Sequence, residues 1–115
     1  MNPAKPSPPS IVLHAHSAIG GDALTDLLLG IEEEGVPVET HHHDELNPLT
    51  LAHEAAISSR LGIGIGVALD YVVVTLEKLP EDRPYMAEFL GGADRKVGSN
   101  AARLVKRIPL RRTDR

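Results

Sequence analysis

Two apolar segments near the middle of the chain, GIGIGVAL and YVVVTLE, are separated only by about one residue, Asp70. Each has the length and the β-branched content of a strand. A parallel crossover needs a dozen or more residues, so these two strands must pair antiparallel. Any fold of this chain therefore contains a central hairpin.

The first half of the chain alternates strand and helix patterns. SIVLHAH and VPVETHHH predict strands, and the segment between them predicts a helix with Asp22 as N-cap and with Gly35 and Pro37 as stop signals. Its apolar residues repeat at i, i+3, i+4 and i+7, which predicts one buried stripe. These residues are Leu24, Leu27, Leu28 and Ile31.

Two more helices follow from similar signals. Asn47 as cap and Pro48 as first residue predict a helix over 48–60. A third helix is predicted after a cap at Ser99 or Asn100, whereas YMAEFL is ambiguous. Its apolar stripe is Ala101, Leu104, Val105 and Ile108, and Pro109 ends it. This order predicts one layered α/β domain, with a mixed, mostly parallel sheet and flanking helices.

The length of 115 residues suits a single domain. We expect a disordered, Pro-rich leader over 1–10, the domain over 11–110 and a basic tail over 111–115. No apolar run is long enough to span a membrane, and the absence of cysteine agrees with a reducing compartment, so a cytoplasmic location is expected. Three aromatic residues are too few for a stacking platform on single-stranded nucleic acid.

Charge is divided unevenly along the chain. Residues 95–115 carry eight basic residues and one acid, a net charge of +7, while the remainder carries −11. This asymmetry predicts a basic end that binds acidic partner surfaces through Arg111 and Arg112, or a solvated, disordered end. No nucleic-acid partner is expected.

Other candidate sites have weaker signals. His14 and His16 share a strand face, and the run His41 to His43 ends the next strand, which suits a zinc or nickel site or simply polar strand ends. GIGIG lacks the spacing of a dinucleotide loop and indicates close packing by a helix or another chain. No nucleophile motif is present, so no catalytic residue and no enzyme activity are predicted.

The segment LLLGIEEEG violates local rules, because three carboxylates crowd the negative end of a helix dipole. A helical wheel places Asp26, Leu29, Gly30 and Glu33 in a second row opposite the apolar stripe. Such a row predicts a protein contact centred on a cation or a base, with an ordinary solvated acidic face as the alternative.

GIEEEGVP with its preceding LLL, and SNAARLVKRIPLR near the end, resemble the small subunit of the reactivating factor of cobalamin-dependent diol and glycerol dehydratases. SSRLGIGIGVALDYVVVTLEKLP is a weaker match. Ser99, Arg107 and Leu110 depart from the family pattern, in which Asn, Gly and an aromatic residue stand at these positions.

The resemblance implies a fold similar to the medium subunit of diol dehydratase and a subunit with no catalysis and no cofactor of its own. It implies pairing with a large ATPase subunit, commonly two of each in a heterotetramer, which frees inactivated cobalamin from the dehydratase by ATP-linked subunit exchange. It further implies that Glu33 helps to hold a divalent cation such as Mg²⁺, shared with the large subunit. The expected location is then the cytoplasm, free or associated with a bacterial microcompartment.

Two alternatives remain open at this point. The chain could be a medium subunit of a cobalamin-dependent dehydratase, although 115 residues are few for one. It could also be an unrelated His-rich metal-binding protein.

Overall fold

A computed structural model of the chain describes residues 8–112. The predicted leader and basic tail therefore lie mostly outside the described residues, while buried Ser10 already belongs to the domain. No helix within 8–112 is both long and apolar enough to cross a bilayer. The elements are β1 (Ile11–His16), α1 (Gly21–Glu33), β2 (Val38–His43), α2 (Pro48–Ser58), β3 (Ile63–Ala68), β4 (Tyr71–Leu76), β5 (Met86–Phe89) and α3 (Asp94–Lys106).

The five strands form one sheet in the order β2-β1-β3-β4-β5. β1 pairs parallel with β2 and β3, whereas β3–β4 and β4–β5 pair antiparallel. The central hairpin turns through residues 69–70, with Leu69 in the left-handed region at φ 56°. The predicted layered α/β fold with a mixed sheet is confirmed. Two of the four strand pairs are parallel, so the sheet is not mostly parallel as predicted, because the β3–β4 hairpin and the short edge strand both pair antiparallel. The ambiguous segment YMAEFL supplies the edge strand β5.

Strand side chains alternate between two faces of the sheet. One face, which we call the closed face, packs against α1 and α3. Its strand residues are buried with the α1 stripe in one cluster: Ile11, Leu13, Ala15, Ile63, Ile65, Val67, Val72, Val74, Leu24, Leu27 and Ile31. The other face, the open face, is covered by α2 alone among the described helices.

α2 lies directly on the backbone of β3. A Cβ atom added to Gly64 would stand 2.1 Å from the Ala56 nitrogen, and one added to Gly66 would stand 2.3 Å from the Pro48 oxygen. The predicted role of GIGIG in close packing by a helix is therefore confirmed. The predicted cap is also present, because the Asn47 side chain accepts a hydrogen bond from the Leu49 backbone nitrogen at 2.9 Å.

Two helix starts differ from the prediction. α1 begins after Gly20, so Asp22 lies in its first turn and is not the cap. α3 begins at Asp94, and Ser99 and Asn100 lie buried in its interior. Both residues have tertiary hydrogen-bond partners, which a capping rule cannot take into account.

The C-terminal end of α3 also differs. Leu104 and Val105 are only partly buried, and Ile108 is 37% exposed. The helix ends at Lys106, followed by Arg107 in the left-handed conformation. The buried face of α3 therefore lies further towards its N-terminus, around Val97 and Ala101.

Candidate functional site

The three consecutive glutamates at the end of α1 have three different environments. Glu32 and Glu33 are exposed, whereas the Glu34 side chain is only 11% exposed. Successive residues of a helix point about 100° apart, so adjacent carboxylates reach different neighbours. The three glutamates therefore do not form one acidic cluster, and each is considered separately.

Glu34 fastens α1 to α3. Its carboxylate accepts hydrogen bonds from Ser99 Oγ at 2.7 Å, Arg103 Nε at 2.9 Å and Lys106 Nζ at 3.0 Å. The Lys106 ammonium also donates to the Glu34 backbone oxygen, at 3.0 Å. Hydrogen bonds from Ser99, Lys106 and Arg103 lower the pKa of Glu34 to about 2. This carboxylate has a structural role within the chain.

Glu33 stands at the rim of the same helix contact, with 37% of its side chain exposed. Arg95 Nε donates to Glu33 Oε2 at 2.7 Å, and Arg95 Nη2 donates to the same oxygen. The hydrogen bond from Arg95 lowers the pKa of Glu33, so the group is a carboxylate at neutral pH. Within the chain, α3 therefore supplies Arg95 as the ion-pair partner of Glu33.

The predicted outward row of α1 faces α3 of the same chain. Gly30 is buried, and an added Cβ would lie 2.0 Å from the Arg95 backbone oxygen, so its prediction as a partner contact is wrong. Leu29 is 37% exposed, Asp26 is exposed, and the Asp26 charge helps to raise the pKa of Arg95. A helical wheel can locate an apolar stripe but cannot show that a second helix covers the polar side.

The segment after α3 turns back along the helix. The buried Asn100 side chain accepts from the Arg111 backbone nitrogen at 2.5 Å and donates to the Arg111 backbone oxygen at 2.8 Å. The side chains of Arg111 and Arg112 remain exposed, beside an open groove that borders β5. Asn100 was missed as a tertiary anchor because asparagine before an apolar repeat is also typical of a helix cap.

Part of the basic charge in residues 95–115 is neutralised within the fold, because Arg95, Arg103 and Lys106 form ion pairs with Glu33 and Glu34. The surface field of this end is therefore weaker than the sequence count of +7 suggests.

The histidines of β1 and β2 come together only in part. β1 and β2 are adjacent and parallel, and the register places His14 opposite His41 and His16 opposite His43. His42 points to the other face, where its Nε2 lies 3.1 Å from the Ile19 oxygen. Within residues 8–112, no group of three or more potential ligands is arranged to hold a metal ion as the side chains stand.

Comparisons with known proteins agree with this geometry. Residues 8–111 match the model of a family described as dehydratase medium subunit. The chain is 39% identical over 106 residues to the propanediol dehydratase-reactivating factor small subunit of Citrobacter freundii, covering 90% of each chain.

Two solved structures share the fold. A diol dehydratase-reactivating factor complexed with ADP and Mg²⁺ superposes with a TM-score of 0.86 at 37% identity, covering 92% of this chain and all of the matched chain. A glycerol dehydratase reactivase also has a TM-score of 0.86, at 34% identity, covering 93% of this chain and all of the matched chain. The chain therefore belongs to the dehydratase medium subunit family, as a relative of the small subunits of dehydratase-reactivating factors.

Proposed function

We propose that this chain is the small accessory subunit of a reactivase for a cobalamin-dependent diol or glycerol dehydratase. It pairs with a large subunit that carries the ATPase activity, and the complex frees inactivated cobalamin by exchanging this subunit for a dehydratase subunit of similar shape. The single observation that supports this role best is the reactivase fold, matched with a TM-score of 0.86 over 92% of the chain.

Glu33 is the residue that we propose at the contact with the large subunit. Both Arg95 nitrogens donate to Oε2, and we propose Oε1 of this exposed carboxylate as the ligand of a Mg²⁺ ion shared with the partner. Carboxylate oxygens are preferred Mg²⁺ ligands. Mg²⁺ in the related reactivating factor supports this choice.

A shared cation also makes exchange physically reasonable. A protein interface of standard size, about 1,600 Å², spans micromolar to picomolar affinity, so area alone does not decide release. Release requires the large subunit to bind this subunit with different affinities in its different nucleotide states. A cation held jointly by Glu33 and the nucleotide-binding subunit would provide that linkage, in a heterotetramer with two copies of each subunit.

The Glu33 contact can be tested with a matched pair of variants. Glu33→Gln and Glu32→Gln each remove one exposed carboxylate from the same helix turn. We expect Glu33→Gln to weaken binding to the large subunit by about tenfold or more in Mg²⁺, which is about 1.4 kcal/mol, and Glu32→Gln to change it less than twofold. Chelation of Mg²⁺ should abolish the difference between the two variants.

Titration calorimetry with the purified large subunit measures these affinities, and thermal unfolding of the isolated chain is the control. Glu33→Gln should change the melting temperature little, because exposed ion pairs contribute about 0–1 kcal/mol. Equal affinities of both variants would remove Glu33 from the contact. A melting temperature several degrees lower, with unchanged affinity, would make it a residue of the fold.

Arg111 and Arg112 are proposed to steer this subunit onto acidic partner surfaces. Such steering acts over a Debye length of about 8 Å at physiological ionic strength and mainly changes the association rate. In stopped-flow mixing with the large subunit, Arg111→Ala/Arg112→Ala should slow association and flatten its salt dependence. Lys78→Ala/Arg83→Ala removes equal charge from the exposed β4–β5 connection and serves as control. Identical rates for both double variants would refute steering.

The family description names the dehydratase's own medium subunit, which keeps that role as a second candidate. Co-expression with a large reactivase subunit or with the remaining dehydratase subunits separates the two roles by co-purification. We also expect the isolated chain to hydrolyse no ATP and to bind no cobalamin in equilibrium dialysis. The alternative of an unrelated His-rich metal carrier is wrong, because the chain belongs to the dehydratase medium subunit family.

A further inference from the structure

Three histidines of two neighbouring strands lie together on the open face. We call His14, His41 and His43 the histidine cluster. His14 on β1 is in register with His41 on β2, and His43 lies two residues further along β2, so all three side chains leave the same face of the sheet. Parallel pairing of β1 with β2 creates this cluster.

The spacing of the rings is close to that of a metal site. Three imidazoles on one tetrahedral zinc ion, with Zn–N bonds of about 2.0–2.1 Å, hold their ring centres about 5 Å apart. The ring centre of His14 lies 4.2 Å from that of His43 and 5.9 Å from that of His41. These distances bracket the value that a shared metal ion requires.

His14 has a polar atom with nothing to bind. The residue is only 8% exposed, and its Nδ1 is buried without a hydrogen-bond partner. An unsatisfied buried polar atom is costly, by about 1–3 kcal/mol, and needs an explanation.

The surroundings of His41 favour the same role. His41 Nε2 lies 3.3 Å from Glu39 Oε1, a carboxylate contact of the kind that orients metal-binding histidines and leaves the second ring nitrogen as the ligand. His16, in contrast, accepts a hydrogen bond from the Ala18 nitrogen through Nδ1 and stands outside the set. The ring nitrogens of the cluster do not converge as the side chains stand, so binding requires rotation of the exposed rings His41 and His43.

We propose that the histidine cluster binds a divalent transition-metal ion of the borderline class, represented by Zn²⁺, through His14, His41 and His43. Three imidazoles suit zinc, nickel and copper and are poor ligands for Mg²⁺, which prefers oxygen. This site is separate from Glu33, which lies on the helix pair of the closed face.

The test uses the full-length chain without a polyhistidine tag, freed of metal by dialysis against a chelator. Zn²⁺ is titrated calorimetrically into wild type, His43→Ala and His42→Ala. His42 is the matched control, since it neighbours the cluster in sequence but points to the other face. We expect one equivalent of Zn²⁺ per wild-type chain, at least tenfold weaker binding by His43→Ala, and less than a twofold change in His42→Ala.

Co²⁺ as a second probe reports the geometry, because a tetrahedral three-histidine site gives intense visible absorption that an adventitious surface site does not. His41→Ala should reduce this absorption as His43→Ala does, and a hundredfold excess of Mg²⁺ should leave it unchanged. Failure of wild type to bind Zn²⁺, or equal binding by His43→Ala and His42→Ala, would overturn the proposal. Neither outcome would affect the proposed pairing through Glu33.

Discussion

The two faces of the sheet are built from the same strands but are closed differently. On the closed face, α1 and α3 contact each other through glycine, and four side chains of α3 donate hydrogen bonds to the carboxylates of Glu33 and Glu34. On the open face, α2 lies on Gly64 and Gly66 and is the one described helix there. The closed face has two helices that are joined by ion pairs, whereas the open face has one described helix.

Simple dimensions explain what this difference leaves exposed. Five strands about 4.8 Å apart make a sheet roughly 20 Å wide, and a helix with its side chains covers about 10 Å. Two helices therefore cover a face, and one helix leaves a flank on each side. On the open face these flanks carry the histidine cluster at β1–β2 and the stacked rings of Tyr71 and Phe89, 5.4 Å apart, at β4–β5. The side chains available for binding on the open face therefore lie on the parts of the sheet that α2 leaves uncovered.

The largest expected effect tests whether both faces are equally rigid. Gly30→Ala forces a Cβ to 2.0 Å from the Arg95 oxygen, and Gly64→Ala forces one to 2.1 Å from the Ala56 nitrogen. We expect each to lower the free energy of unfolding by about 3 kcal/mol, since overpacking against backbone cannot relax easily. Gly21→Ala, which meets nothing within 4 Å, is the control in urea unfolding. A loss of stability in Gly30→Ala alone would show that α2 can shift to make room for a Cβ at Gly64.

The next effect concerns the ion pairs that join α1 and α3 on the closed face. The pKa of Glu34 is about 2 in the fold against an ordinary 4.5, so its contribution to stability is full above pH 4.5 and is lost as pH falls towards 2. Glu34→Gln should therefore lower the melting temperature by several degrees at pH 7, and the difference from wild type should shrink between pH 4.5 and 2. Glu32→Gln should show no such convergence in the same melting series.

A second pH dependence, in a separate pH window, is expected from the open face. The pKa of His14 is about 4 in the fold against an ordinary 6.5, so below pH 6.5 protons bind the unfolded chain more readily. Stability should fall as pH drops from 6.5 to 4, and His14→Asn should flatten this slope. Melting curves in metal-free buffer measure it. A wild-type slope confined to pH below 4.5 would assign all acid sensitivity to the closed face.

The smallest effect is expected at the aromatic flank. Phe89 is 66% exposed, and an exposed side chain has little burial to lose. Phe89→Ala should therefore cost less than about 1 kcal/mol in urea unfolding, even though an aromatic pair can contribute about 0.5–1.5 kcal/mol. Leu27→Ala, at a fully buried position of the closed face, should cost about 2–5 kcal/mol. Comparable losses would mean that Phe89 is part of the core.

Much of the fold was predictable because its signals are local. The short gap at Asp70 required the hairpin, the Asn47–Pro48 pair marked α2, and the i, i+3, i+4 repeat located the buried side of α1. Each of these depends on a few adjacent residues and on backbone geometry alone. Local rules were sufficient at these positions.

The site was less predictable because its signals are tertiary. Ser99 and Asn100 look like helix caps, but they bind Glu34 and the Arg111 backbone, distant in sequence. Gly30 looked like an outward gap, yet its space is filled by α3. Glu33 was correctly placed away from the apolar stripe, but its partner Arg95 is 62 positions away and no spacing rule connects them.

The reciprocal glycine contact between α1 and α3 has a mechanical consequence. Gly30 lies against the backbone at Arg95, and Gly98 lies against the backbone at Leu27, where an added Cβ would stand 2.0 Å from an oxygen. No deformable side-chain layer separates the two helices there, so they transmit displacement as one stiff lever. A displacement of α1 at Glu33 would therefore move α3 with it. The backbone of Arg111 would follow, because the Asn100 side chain of α3 is hydrogen-bonded to it.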